Sequence, residues 1–433
     1  MIASLRSRLA ERGLGAARSS VASLVATLGS RGVAALGGLY FSVVLARIAG
    51  ADGLGIATQI LSFLLIACIV LRFGTDQTLI RIIARLTAQG HGPLGRSIFV
   101  RCLAVVGAVS TLVAICTWFA IPLLVQGDTA DIARILVVAL PALALVNVAS
   151  GYLKGLKWSA VGALVEIGAI SGLAALLAVI TGASTLVAAL EQLVVVTYLV
   201  CAAGIIAGFI LTPKARPGAE ESDESRARLR GLLVGGLAFT IIGLSLLATQ
   251  AGSFAIAGLA LGDTEIGLLR GAERLALMVS FALTGINPFI APRISAAWKT
   301  SGVTGVRAAY RKAVAASVAV AMPIAPVLAA AGPFLLAFFG KEFVAAYPFL
   351  LIMLVGQLTH ACMGSLNMVL TMAGQERAAM WISLATLAGG ALALYTMSAA
   401  FGAWGFACAY SLIMVCRELA MYFVVRRFFA RGH

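Results

Sequence analysis

Charged side chains make up only 11% of the 433 residues, roughly half the share of an average soluble chain. With 61% hydrophobic residues and a mean hydropathy of +1.03, that shortage excludes a soluble globular domain. Catalytic signatures are missing as well. The chain has no G-x-x-x-x-G-K-[ST] phosphate loop, no H-E-x-x-H and no D-x-D pair, which removes the common phosphate-loop and zinc-hydrolase chemistries. Gly340 and Lys341 lack the hydroxyl residue that would complete a phosphate loop. Of the three histidines, His91 is in a loop, His433 is terminal and His360 stands alone in an apolar run, where a single histidine reads as a hydrogen-bonded core residue. Cys68, Cys102, Cys116, Cys201, Cys362, Cys408 and Cys416 stand singly without metal-ligand spacing, so they read as small hydrophobes. No enzyme activity, cofactor or metal is expected.

What the chain has is long apolar runs. Twelve are close enough to twenty residues to cross a membrane as helices. The first half holds Val21 to Leu45, Ile56 to Leu71, Ile98 to Val125, Ile132 to Gly151, Ala160 to Ile180 and Leu186 to Leu211. The second holds Leu232 to Ala251, Ile266 to Phe289, Ala313 to Phe339, Tyr347 to Met372, Ala378 to Ala399 and Phe406 to Phe428. The fold class is an all-α polytopic membrane protein. A basic N-terminus before an apolar run resembles a signal peptide, but the run is too long and lacks a small-residue cleavage site, so it is taken as the first span.

The net charge of +15, from 32 basic and 17 acidic residues, would in a soluble protein point to nucleic acid. Here it follows the positive-inside rule, and no nucleic-acid partner is expected. One set of alternate loops carries Arg6 to Arg18, Arg72 to Arg96, Lys154 and Lys157, Lys214 to Arg230, Arg293 to Arg311 and Arg426 to Arg431. The other set has Arg47, Arg134 and Lys341 beside Asp52, Asp128, Asp131, Asp263, Glu265 and Glu342. Both termini are therefore expected in the cytoplasm. The tryptophans agree, with Trp118 and Trp404 at outer ends and Trp158, Trp298 and Trp381 at inner ends, as an aromatic belt requires.

The polar segment Pro213 to Arg230 divides the chain into a six-helix bundle over residues 1–212, a cytoplasmic linker over 213–230 and a second six-helix bundle over 231–433. Gly50, Gly55 and Arg81 recur as Gly262, Gly267 and Arg293, each shifted by 212 positions. An even number of spans per half gives both halves one orientation, related by a pseudo-two-fold axis along the membrane normal, with the site between them.

Arg31 and Arg274 fall near the middle of their spans, where an arginine costs about 2.5 to 3.5 kcal/mol on insertion scales and survives only beside protein or water. Arg270 and Arg274 share a helix face, and Glu273 is placed to pair with Arg270. Neutralisation of Arg274 by Glu273, Glu166 or Glu191 is the structural alternative; Arg31 has no acid in its own span. Guanidinium groups make forked hydrogen bonds to phosphate oxygens, so a cavity lined by Arg31, Arg270 and Arg274 would favour an anion, a pyrophosphate above all. Pro288, Pro292, Pro323 and Pro326 predict backbone breaks beside it. Thr75 to Leu86 reads as a short interfacial helix anchored to anionic lipid, with Leu79, Ile83 and Leu86 on one side.

The chain resembles the Wzx-type polysaccharide-export flippases, in the group that also holds MATE drug exporters and MurJ lipid flippases. The resemblance lies in LARIAGADGLG at Leu45 to Gly55 and RFGTDQTLIR at Arg72 to Arg81 in the first half. In the second half it lies in EIGLLRGAERL at Glu265 to Leu275, NPFIAPR at Asn287 to Arg293, the stretches Phe339 to Gln357 and Asn367 to Arg377, and Gly402 to Phe428. It implies two helical bundles forming a V in a bacterial inner membrane. It also implies transport of undecaprenyl-pyrophosphate-linked oligosaccharide from the inner to the outer leaflet, with basic cavity residues at Arg31 and Arg274. The implied partners are that lipid-linked oligosaccharide, membrane lipids and glycan-assembly enzymes. The two extra helices usual in MurJ-like proteins are not found, and the carboxylate that MATE exporters often carry in the first helix is absent from Val21 to Leu45. A MATE-like cation-coupled exporter of small molecules is the alternative. A major facilitator would need a G-x-x-x-D-R-x-G-R-[RK] loop that Gly74 to Arg85 does not supply, and a glycan polymerase would need a large outer loop.

Overall fold

Every apolar run within the described residues is helical in the computed structural model, which describes residues 2–89, 92–212, 252–364, 366–372 and 375–431. The run Leu232 to Ala251 and the polar segment Pro213 to Arg230 lie outside them. The first half forms α1 (Ile2–Arg72), α2 (Thr75–Gln89), α3 (Gly92–Leu124), α4 (Asp128–Val138), α5 (Leu140–Gly155), α6 (Ser159–Leu164), α7 (Ile167–Ile180) and α8 (Leu186–Leu211). After a short helical stretch at 252–257 come α9 (Asp263–Ala337), a 3-10 turn (Lys341–Ala346), α10 (Tyr347–Met363), α11 (Leu366–Met372) and α12 (Glu376–Arg431). The architecture is an all-α polytopic membrane fold of two bundles.

Three helices carry more than one span because a single left-handed glycine turns the chain between them. The turn falls at Gly50 in α1 (φ 66°, ψ −167°), Gly302 in α9 (φ 55°, ψ −142°) and Gly402 in α12 (φ 58°, ψ −142°). A side chain at that φ would meet the backbone, so only glycine makes the reversal cheaply. This corrects the expectation that prolines break the eighth and ninth spans: α9 stays helical through Pro288, Pro292, Pro323 and Pro326 and departs only at Gly302. The fourth span does break at a proline. Pro141 opens α5 after Ala139, where its ring and missing N–H end the preceding helix.

The interfacial reading of α2 also changes. Leu79, Ile83 and Leu86 are buried, and the absence of a Cβ at Gly151 and Gly155 of α5 lets α2 lie against that helix at Asp76 and Ile83. The apolar face of α2 is thus satisfied by protein. All five tryptophans, Trp118, Trp158, Trp298, Trp381 and Trp404, are exposed, as a lipid-facing belt requires.

Among the described helices the most extensive packing is that of α1 against α9, one from each half. Its closest point explains the repeat. A Cβ at Gly55 would overlap the carbonyl of Asp263, and a Cβ at Gly267 would overlap the carbonyl of Ala51. Shifting either pair by 212 positions produces the other, the mark of an isologous contact across a two-fold axis. Around it, Thr264 Oγ1 bonds Asp52 Oδ1, Gln59 Nε2 donates to Asp263 Oδ1 at 2.6 Å, and Arg47 Nε donates to the Phe338 carbonyl at 2.8 Å. The symmetry is local: Gly50 is left-handed, whereas Gly262 caps α9 at φ −75°. The side chains of Arg81 and Arg293 lie outside the described ones. The two halves are therefore pinned at the end bearing Asp52 and Asp263, here called the acidic end, opposite the basic loops.

This crossing makes a direct prediction. In a protein cleared of its native cysteines, Asp52→Cys with Thr264→Cys will join on treatment with a short bifunctional thiosulfonate, read as altered gel mobility after proteolysis between the halves. Adding Gly55→Leu, which forces the helices apart, will reduce the yield at least severalfold.

Candidate functional site

Arg274 sits on α9 eleven residues past Asp263, about 16 Å along the helix and so near the middle of a bilayer. Its head crosses between the halves. Nη1 lies 3.6 Å from where a Cβ at Gly38 of α1 would stand, so glycine at that position leaves room for a guanidinium. Arg274 is half-buried, and its Nε is buried without a hydrogen-bond partner. Among the described residues no carboxylate forms an ion pair with it.

The three carboxylates weighed as partners are accounted for elsewhere. Glu273, with a side chain 0% exposed, receives Arg270 Nη1 on Oε2 at 3.0 Å. Glu166 stands in extended conformation at the break between α6 and α7, where it pairs with Lys154 and lies 3.4 Å from Ser150 Oγ. Glu191 is exposed on α8. Because Arg274 follows Glu273 directly in sequence, the two side chains leave the helix in different directions. Adjacency on the chain thus supplies charge nearby without a pair.

Arg270 does not join a free cationic surface. Its side chain is 13% exposed, bonded to Glu273 and stacked 4.9 Å above the Phe254 ring. Phe254, Phe406 and Tyr410 continue this aromatic wall within the second half. A buried pair holds Arg270 inside its own bundle. Arg31 lies on the α1 backbone, and its side chain is outside the described ones. Its position is seven residues before Gly38, two turns away on the same helix face and roughly 10 Å nearer the basic end.

A second group of intramembrane charges went unremarked in the sequence. Arg417 and Glu418 on α12 meet His360 on α10: Arg417 Nη2 is 2.8 Å and His360 Nδ1 2.9 Å from Glu418 Oε1. The signal available was an adjacent Arg and Glu twelve residues into the run Phe406 to Phe428. At the basic end of the first half, Arg72 Nη1 bridges Asp76 at 3.2 Å and Asn147 at 2.8 Å, tying α1, α2 and α5. A small apolar recess in the second half is lined by Ile256, Leu387, Gly390, Leu394, Tyr410 and Ile413, with no charged side chain among its walls.

The chemistry open to Arg274 is anion binding. A guanidinium presents a planar fork of N–H donors that matches phosphate oxygens. A hydrogen bond to a charged group contributes about 1.5 to 3 kcal/mol, so one forked pair to a phosphate offsets the cost of holding arginine at mid-membrane.

Comparison with known proteins gives concordant results. No curated protein sequence matches. A family profile described as polysaccharide biosynthesis protein matches residues 20–298. Among solved structures, an inward-facing multidrug resistance MATE family transporter of the MOP superfamily superposes with a TM-score of 0.74 at 16% identity, over 94% of this chain and 98% of that one. The outward-facing conformation of a MATE family transporter of that superfamily gives 0.65 at 16% identity, over 94% and 96%. A MOP superfamily transporter from Pyrococcus furiosus, whose reversed binding-pocket polarity suggests a different function, gives 0.63 at 14% identity, over 95% of each chain. The chain belongs to the polysaccharide biosynthesis protein family and is built on the two-bundle fold of MOP-superfamily transporters.

Proposed function

We propose that this protein is a flippase that moves undecaprenyl-pyrophosphate-linked oligosaccharide from the inner to the outer leaflet of a bacterial plasma membrane, by alternating access and without covalent chemistry. The observation that carries this reading is Arg274: a guanidinium at mid-membrane depth, reaching the opposite half at Gly38, with no carboxylate paired to it among the described residues. A fixed positive charge there attracts a pyrophosphate and repels organic cations. Arg31 contributes a second charge from α1, while the polyprenyl chain stays in lipid. Arg270 serves indirectly, by occupying Glu273 and leaving Arg274 unneutralised.

The basic loops put the termini in the cytoplasm by the positive-inside rule. The crossing at Gly55 and Gly267 then closes the outer end, and the cavity opens to the cytoplasm, where the cargo is loaded. The higher similarity to the inward-facing than to the outward-facing relative supports that state. Release outside requires the Gly55–Gly267 crossing to part and the basic ends to approach, the rocking of one repeat against the other. Membrane lipids and glycan-assembly enzymes are the surrounding partners on this reading.

The competing reading is a cation-coupled exporter of small molecules, which the shared fold accommodates. Family membership and the charge of Arg274 favour the glycan carrier.

Two outcomes are expected. Arg274→Ala will lower flipping of lipid-linked oligosaccharide in proteoliposomes by about 10- to 100-fold, the loss of one forked charge-assisted pair. Arg274→Lys, which keeps the charge without the fork, will retain an intermediate rate. In cells, Arg31→Ala will abolish surface glycan at unchanged membrane expression. Normal glycan in both alanine variants, or efficient uptake of organic cations by the wild type, overturns the assignment.

A further inference from the structure

At the basic end each half carries a pair of cations that cargo capture does not use. Arg96 and Arg101 lie near the start of α3, and Arg307 and Lys312 lie near the start of the arm of α9 that follows Gly302. The two pairs correspond. RSIFVR at Arg96 to Arg101 and RAAYRK at Arg307 to Lys312 each hold a cation, an aromatic ring three residues on and a second cation two residues after that. A shift of 211 positions carries Arg96, Phe99 and Arg101 onto Arg307, Tyr310 and Lys312, one less than the 212 that relates Gly55 to Gly267.

The packing repeats as the sequence does. The Arg96 guanidinium stands 4.7 Å from the centre of the Phe209 ring at the end of α8, and that of Arg307 stands 5.4 Å from the Phe429 ring at the end of α12. Phe99 meets the same Phe209 at 5.8 Å between ring centres, and Tyr310 meets the same Phe429 at 6.1 Å, both tilted. In each half the start of the third span is thus fastened to the end of the sixth by an arginine and an aromatic ring that share one phenylalanine. Stacking occupies a face of the guanidinium and leaves its N–H edge able to bond an anion. Among the described residues no carboxylate pairs with Arg96, Arg101, Arg307 or Lys312. Arg101 and Lys312 stand about one and a half turns deeper than their partners, on exposed positions, where a long side chain reaches back toward the headgroup level.

What continues beyond these cations selects the ligand. The face that carries Arg101 runs on through Val105, Leu112 and Phe119, and the face that carries Lys312 through Val320, Val327 and Phe334, all exposed. Helical spacing puts each set on one apolar stripe, which in a membrane span is covered by acyl chains. Trp298, exposed and 5.5 Å from the Phe428 ring, marks the interfacial level. The matching ligand joins an anionic head at that level to an apolar chain. Free phosphate has no chain, an acidic protein segment would not follow the stripe into hydrocarbon, and a zwitterionic headgroup brings an ammonium that these cations repel.

We propose that these are two pseudo-equivalent binding sites for an anionic phospholipid of the adjoining leaflet, one in each half. The phosphodiester is held by Arg96 and Arg101 in one site and by Arg307 and Lys312 in the other, with an acyl chain laid along the apolar stripe. Each lipid ties the third span of its half to the sixth, at the end opposite the crossing of α1 and α9. A cation beside an anionic headgroup contributes about fivefold in affinity.

The sites stand apart from the flippase reading, and their test contains no cargo. Full-length protein is stripped of lipid in detergent and incubated with equal amounts of phosphatidylglycerol and phosphatidylcholine of the same acyl chains. Native mass spectrometry is expected to show up to two retained phosphatidylglycerol molecules, favoured severalfold over phosphatidylcholine. Arg96→Gln with Arg101→Gln will remove one of them, Arg307→Gln with Lys312→Gln the other, and all four changes together will bring the ratio to one. Arg96→Lys, Arg101→Lys and Arg307→Lys combined, which keep the charge, will preserve the preference and so separate loss of the sites from loss of the fold. Equal retention of the two lipids by the wild type, or wild-type preference in the fourfold glutamine variant, overturns the sites. A comparable loss in Lys157→Gln with Arg377→Gln, two cations at the same end outside both pairs, reduces the effect to general surface charge and overturns them as well. Displacement of phosphatidylglycerol by an equal concentration of inorganic phosphate overturns the assignment to a lipid.

Discussion

The crossing of α1 and α9 at Gly55 and Gly267 is the contact on which the rest of the molecule depends. Backbone meets backbone there with no side chain between, twice, in pairs related by the repeat. Close approach of this kind is the usual basis of helix association in a membrane, where lipid removes the hydrophobic drive and small residues let dispersion and polar contacts act. The surrounding bonds, Asp52 with Thr264 and Gln59 with Asp263, contribute at most about 3 kcal/mol each. Such a clamp is strong enough to define a state and weak enough to open in a cycle.

From that clamp the placement of charge follows. The two halves meet at the acidic end and leave Arg274 level with Gly38, twelve residues below the turn at Gly50 on one helix and twelve below Gly262 on the other. Away from the acidic end, Glu166 pairs with Lys154, Glu273 with Arg270 and Glu418 with Arg417 and His360, each within its own half. The one described intramembrane arginine left over between the bundles is Arg274. On the proposed reading, electrostatic selectivity is a matter of which cations are neutralised and which are not.

Much of this was legible in the chain. The positions of the described spans and the special status of Gly55 and Gly267 followed from hydropathy and a 212-residue shift. The pairing of Arg270 with Glu273 followed from helix periodicity. Other expectations failed for want of a third dimension. Proline spacing pointed to breaks that α9 does not make, because a transmembrane proline can be accommodated while its helix continues. The apolar side of α2 pointed to lipid, because periodicity identifies a face that needs covering without saying what covers it. His360 read as solitary because its partner is 58 residues away on another span.

The sequence by itself determined the solvent, the positions of the described apolar spans and the presence of costly charges at depth, since transfer from water to hydrocarbon is local and sums residue by residue along the chain. Only the tertiary structure decided what those charges meet. The partner of an ion inside a membrane is set by which helices lie beside it and at what height, and those follow from packing at glycines far away in sequence. The same composition with a different crossing would leave Arg274 paired or facing lipid, and the same His360 without a neighbouring partner.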